Sequence, residues 1–213
     1  MLRAIENLLI ALPFIAAMAL AGSTAQEGSP FILSCVAFTA GVTFDGLVAR
    51  YGPTNVMTDK IYLGEGEYEE GTVLYPDTPK RRAEILWKEQ DIKRSPRMVR
   101  ITGAETQWRT PQGLTLGLAL GAVEKLNRRP FRLLGFGWDY GGTTISWSGG
   151  ALGSGESTEC RLWARFEAQP SKPAEMQLSR QVTGDQEFSS GHPGMQASNA
   201  RVYQIGLHFP DPK

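Results

Sequence analysis

The chain is poor in the residues from which metal centres, nucleic-acid surfaces and membrane spans are built. Of its 213 residues only two are histidine and two are cysteine. His192 and His208 lie near the C-terminus, and neither stands at ligand spacing from a cysteine, so no metal site is expected. Lysine plus arginine total 22 and aspartate plus glutamate total 22. With a net charge of zero there is no surplus to neutralise phosphates, which argues against nucleic acid as a partner. The one basic run, Lys80-Arg81-Arg82, is short and soon met by Glu84, and reads as a solvated strand end rather than a phosphate or lipid patch.

Catalytic signatures are missing too. There is no Gly-x-Ser-x-Gly, and its nearest relative, Gly153-Ser154-Gly155, lacks the strand-to-helix setting that strains a nucleophile. Gly135-x-Gly137 is not followed by a helix with a third glycine in place, and no phosphate loop is present, so no cofactor is implied. Ser190 and His192 stand two residues apart, a spacing that does not by itself bring them together.

What is present begins with an export signal. Arg3 precedes an apolar run from Leu8 to Ala21, about 14 residues long, which suits a signal peptide and falls short of the roughly 18 needed to cross a bilayer. Pro13 argues further against a permanent span. Ser23 and Ala25 are the small residues a signal peptidase requires, so residues 1–25 are expected to be removed and the mature chain to begin at Gln26. A lipoprotein is the competing reading, since Ile32-Leu33-Ser34-Cys35 loosely matches the surroundings of an acylated cysteine. Such a cysteine directly follows the apolar run, whereas about a dozen residues intervene here. The mature chain is expected to carry no transmembrane segment, to be periplasmic or secreted, and to form one domain over residues 26–213. In an oxidising compartment Cys35 and Cys160 are expected to pair with each other.

Most apolar segments are short, rich in β-branched and aromatic residues, and bounded by Gly, Pro, Asp or Asn. Strands are expected at 31–38, 56–63, 72–75, 83–88, 98–102, 143–148, 161–168 and 202–209. Two short helices are expected, 44–51 and 116–126, opened by Thr43 and Thr115 as caps. The stretch 169–200 reads as a long loop with an irregular strand near 176–182. The fold class that follows is α+β, mainly antiparallel sheet with two short helices.

The helices begin alike. Gly41-Val42-Thr43 matches Gly113-Leu114-Thr115, a proline turn follows each helix, and Gly71-Thr72 or Gly142-Thr143 then leads to Trp87 or Trp147. This reads as a degenerate tandem repeat of a helix plus strands, about 41–90 and 113–150, followed by C-terminal strands over 160–213. The Gly-x-Thr, short-helix, Tyr-Gly-Pro opening resembles the repeat unit of the BamE/SmpA outer-membrane assembly lipoproteins and of the β-lactamase inhibitor protein. The block from Pro130 to Gly142, PFRLLGFGWDYGG, resembles one found in a family of exported bacterial proteins with no assigned activity. These resemblances imply export and fold rather than a reaction.

Two clusters are candidates for binding. Trp138, Asp139 and Tyr140 stand among glycines, a composition that builds either an aromatic platform for a ligand or a glycine-cornered hairpin. Glu65, Glu67, Glu69 and Glu70 crowd a short loop, which suits a cation site, a hydrolase acid paired with Asp139, or a solvated hairpin tip. The expected site is a sheet face or groove bordered by these two segments, with Trp138 and Tyr140 as anchors, Asp139 fixing orientation, and Glu65 and Glu67 as rim charges. Its partner would be an envelope or extracellular protein, alternatively a glycan or small molecule. A carboxylate-dependent hydrolase fits least.

Overall fold

A computed structural model describes residues 31–103 and 105–211. The expected signal segment 1–25 and the mature start at Gln26 lie outside the described residues. The elements are α1 (Phe44–Tyr51), β1 (Val56–Gly64), β2 (Glu67–Leu74), β3 (Ala83–Glu89), β4 (Arg94–Thr102), α2 (Leu120–Asn127), β5 (Arg132–Leu134), β6 (Thr144–Ser146), β7 (Arg161–Glu167), α3 (Pro173–Ser179), β8 (Glu187–Ser189), α4 (Pro193–Ala197) and β9 (Arg201–His208). The fold is α+β and mainly antiparallel. One sheet has six strands in the order β1-β2-β3-β4-β9-β7, and a second has three in the order β6-β5-β8.

Period-two alternation decides which side of the large sheet is buried. Ile85, Val99, Ile101, Ala164, Ile205 and Leu207 point to one face, where they pack with Leu47 of α1, Leu120 and Val123 of α2, and Phe131. The intervening residues point the other way. There only Ile61, Val73 and Leu86, with Met98 against them, form a small separate cluster. The core therefore lies on one side of the sheet, and the other side is left partly open.

Local chemistry accounts for where the helices start. Thr43 caps α1 by accepting from the Gly46 N–H at 3.1 Å, an arrangement worth about 1 kcal/mol. Thr115 does not cap a helix. Its hydroxyl instead donates to the Trp108 carbonyl at 2.7 Å, while the Gly117 N–H is drawn to Val202 O, so α2 begins four residues later than expected. Residues 31–38 are not a strand either. Ala37 and Phe38 donate back to the Ser34 carbonyl in a turn, and only Ile32 bridges, to Arg109. In the expected loop 169–200 the chain forms α3, β8 and α4. Pro173 opens α3, and the Glu175 carboxylate caps it by accepting the Lys172 N–H at 3.3 Å.

Both halves of the chain run helix first and antiparallel strands after. β3, with Trp87, is the third strand after α1 and belongs to the six-stranded sheet. β6, with Trp147 just beyond it, is the second strand after α2 and belongs to the three-stranded sheet. Both indoles are buried, donating to Thr72 Oγ1 at 2.9 Å and to Leu162 O at 3.0 Å.

Cys35 and Cys160 form a disulfide with Cα atoms 5.8 Å apart across a sequence separation of 125. The bridge fastens the N-terminal turn to the residue preceding β7. Closing a loop of that length is worth about 5 kcal/mol in the chain-entropy picture. Replacing both cysteines by alanine should lower the unfolding free energy by about that amount in urea titrations. A double variant within about 1 kcal/mol of the native protein would show that the loop is already constrained by the sheet.

Candidate functional site

The open side of the six-stranded sheet carries the site. On β7, Arg161, Trp163 and Arg165 point outward while Ala164 and Phe166 point into the core. The cross-strand register places His208 beside Arg161, Gly206 beside Trp163 and Gln204 beside Arg165, with Met98 and Arg100 of β4 one strand further on. Gly206 is required here. A Cβ at that position would collide with the Val99 carbonyl oxygen and lie 2.5 Å from Cζ2 of Trp163. The indole thus packs directly against bare backbone and lines an open groove of about 740 Å³. Residues 143–147 wall one side, and Leu63 and Tyr140 stand at its mouth.

Turn chemistry sets the wall. Gly142 has φ +74°, and a Cβ there would clash with the Phe166 carbonyl, so only glycine lets the β5–β6 connection approach β7. That approach also consumes donors on the outer edge of β7. The Phe166 N–H donates to Gly142 O at 3.0 Å, the Ala164 N–H to Thr144 Oγ1 at 2.9 Å, and the Leu162 N–H to Glu156 Oε1 at 3.1 Å.

The cations of the groove are not equivalent. Arg100 is matched, with Nε and Nη2 on Glu84 Oε2 at 2.9 and 2.7 Å. Among the described residues Arg165 donates only to neutral acceptors, the carbonyls of Gly141 at 3.1 Å and of Asp139, and lies over the Tyr203 ring at 5.5 Å. Arg161 is exposed, and among the described residues no carboxylate comes within 4.0 Å of its guanidinium. His208 has one edge in solvent. Burial of the rest of the ring, then the charges of Lys88, Arg161 and Arg97, hold its pKa below the usual histidine range against a smaller opposing pull from Asp211. Burial likewise raises the Glu156 carboxyl, partly offset by the Leu162 N–H and by Arg161.

The sequence-predicted residues divide. Tyr140, 62% exposed, lines the groove. Asp139 and Glu65 are brought together, because the β1–β2 tip reaches the Gly135–Gly142 turn, and contact with Asp139 raises the Glu65 carboxyl above its ordinary pKa. Trp138 faces away from the groove into a separate cavity of about 420 Å³ beside Phe166 and Tyr203. It braces Tyr140 edge-on at 5.5 Å and donates to Gly135 O at 3.0 Å. Glu67 is exposed at the start of β2 and does not line the groove. Among the described residues no cluster of three His, Cys, Asp or Glu could hold a metal.

Arg161, Trp163, Arg165, Gly206 and His208 were not anticipated as site residues. Their signal was legible, since Arg-x-Trp-x-Arg in a strand puts a charged, aromatic, charged series on one face.

Two titrations follow. In carboxyl-resolved NMR, Glu65 should titrate above 4.5 and fall back toward that value in Asp139→Asn; an unchanged midpoint would mean the two loops do not meet in solution. A histidine whose folded pKa is depressed binds its proton more readily when unfolded. Its contribution to stability is therefore present above about pH 6.5 and declines as pH falls through the folded pKa. His208→Gln should flatten that part of the stability-against-pH curve, and a variant curve parallel to the native one would remove His208 as its source.

No family model matches the chain, and no curated protein or solved structure matches it significantly.

Proposed function

We propose that this is an exported, non-catalytic binding protein, periplasmic or secreted, whose working surface is the groove on the open face of the six-stranded sheet. One observation carries the reading. Trp163 packs directly against the backbone of Gly206 between two outward-pointing arginines, in a groove that the described residues leave open. Backbone close approach at Gly206 rigidifies the indole, and a pre-oriented aromatic flanked by guanidinium groups is a common composition for an interface anchor. The Cys35–Cys160 bridge supports a destination outside the reducing cytoplasm. No described helix is long and apolar enough to cross a membrane. An envelope or extracellular protein is the partner class this reading favours, in keeping with the BamE/SmpA-like and inhibitor-like resemblance of the repeat openings. A small-molecule or glycan ligand is the second reading, favoured by a groove volume inside the roughly 300–1,000 Å³ typical of ligand pockets.

Trp163→Ala and Tyr140→Ala should each weaken capture of a partner from envelope extract by about 2 kcal/mol or more, with the unfolding transition nearly unchanged for Tyr140→Ala. Trp138→Ala should act less on binding and more on stability, since that ring faces the separate cavity. Capture that is indifferent to both groove variants would place the working surface elsewhere.

A further inference from the structure

Resting on the binding reading above, we propose that the groove takes an extended acidic peptide segment of the pattern acid-x-apolar-x-acid. Its apolar side chain lies on Trp163, and its carboxylates meet Arg161 and Arg165. Charge comes first. Arg100 already has its counter-ion in Glu84, whereas Arg165 is bonded only to carbonyl oxygens and Arg161 has no carboxylate within 4.0 Å among the described residues. Among the described residues two guanidinium groups therefore face the groove with no carboxylate in salt-bridge contact, Glu156 being the one acid that lines it, and a carboxylate is the group their planar donors fit in paired geometry.

Spacing selects a peptide. Arg161, Trp163 and Arg165 sit at i, i+2 and i+4 on β7, spanning about 13 Å at roughly 3.3 Å per residue. An extended chain laid along the strand has the same period, so alternate side chains fall in register with all three. The edge of β7 offers no competing mode, because the N–H groups of Leu162, Ala164 and Phe166 are already taken by Glu156, Thr144 and Gly142. Recognition must therefore come from side chains on the face, where the order of charges in the ligand matters. The two ends differ. Beyond Arg165 the neighbouring Asp139 and Glu65 carboxylates oppose a further acid, while near Arg161 the cations Lys88 and Arg97 are already paired with Asp211 and Glu69, so the Arg161 guanidinium itself is the charge a ligand meets. The carboxylate at Arg161 is the dominant one.

Calorimetric titration of the disulfide-bonded protein with the blocked peptide Glu-Ser-Phe-Ser-Glu tests this, with the Gln-Ser-Phe-Ser-Gln and Lys-Ser-Phe-Ser-Lys analogues and polygalacturonate alongside. The acidic peptide should bind, the neutral analogue should bind about tenfold or more weakly, and the lysine analogue should not bind. Arg161→Gln and Trp163→Ala should each weaken the acidic peptide by about tenfold or more. Arg132→Gln, on β5 and paired with Glu187, should leave it unchanged. Trp163→Phe, with a near-native circular dichroism spectrum, should keep part of the affinity and so separates lost contact from lost fold. No binding of the acidic peptide, equal binding of the neutral one, or indifference to Arg161→Gln overturns the proposal. Trp163-dependent binding of polygalacturonate alone would overturn it too, while leaving the groove as a binding site.

Discussion

Everything on the open face depends on one insertion, the placement of the last strand, β9, between β4 and β7. β4 ends at Thr102 and β9 begins at Arg201, so the ladder between them joins segments nearly a hundred residues apart. Until that ladder forms, β7 has no neighbour in the large sheet, Trp163 has no glycine to lie on, and the groove has no floor. Loop-closure entropy opposes such pairing, and the Cys35–Cys160 bridge offsets part of it by holding the start of β7 near the N-terminal turn. Stability and site therefore share the same contacts.

The two ends of the large sheet are closed by different means. At β7 the outer N–H groups go to a hydroxyl, a carboxylate and a carbonyl from residues 142–156, so a foreign strand finds them occupied. At β1 the Asp59 carboxylate accepts the Lys60 N–H at 2.8 Å, and these two exposed charges sit in the middle of the strand. A sheet protected at both edges is free to use its face. Half of that face is closed by Ile61, Val73 and Leu86, and the half over β4, β9 and β7 remains open.

How much could be read from the sequence follows from which forces were local. Thr43, Asp45 and Gly52 surround α1 with start and stop signals that lie within the helix itself, and its limits agree with expectation. The strands β1, β3, β7 and β9 were found for a similar reason, since each is a short β-branched or aromatic run bounded by turn residues. Thr115 carried an equally good cap signal and was used otherwise, because Trp108 and Val202, remote in sequence, competed for that segment. The three-residue strands β5 and β8 exist by pairing with strands remote in sequence, which no local pattern announces. Of the aromatic and acidic residues singled out in the sequence, Tyr140 lines the groove, and Glu65 and Asp139 lie together beside it. The floor is spread over three strands and was visible only as alternation within β7 and β9.

A net charge of zero, which at first excludes so much, conceals a separation of charge within the site. Beside Tyr140 two carboxylates, Glu65 and Asp139, lie together, and on the floor Arg165 is answered by carbonyls rather than acids. Carbonyl dipoles orient Arg165 without cancelling its charge, so the group stays directed and available. An anion entering from solvent is thus opposed at one end and attracted along the floor, a gradient that favours one orientation of a ligand over its reverse. A composition that looks featureless when summed over the chain acquires direction once β9 has brought the strands together.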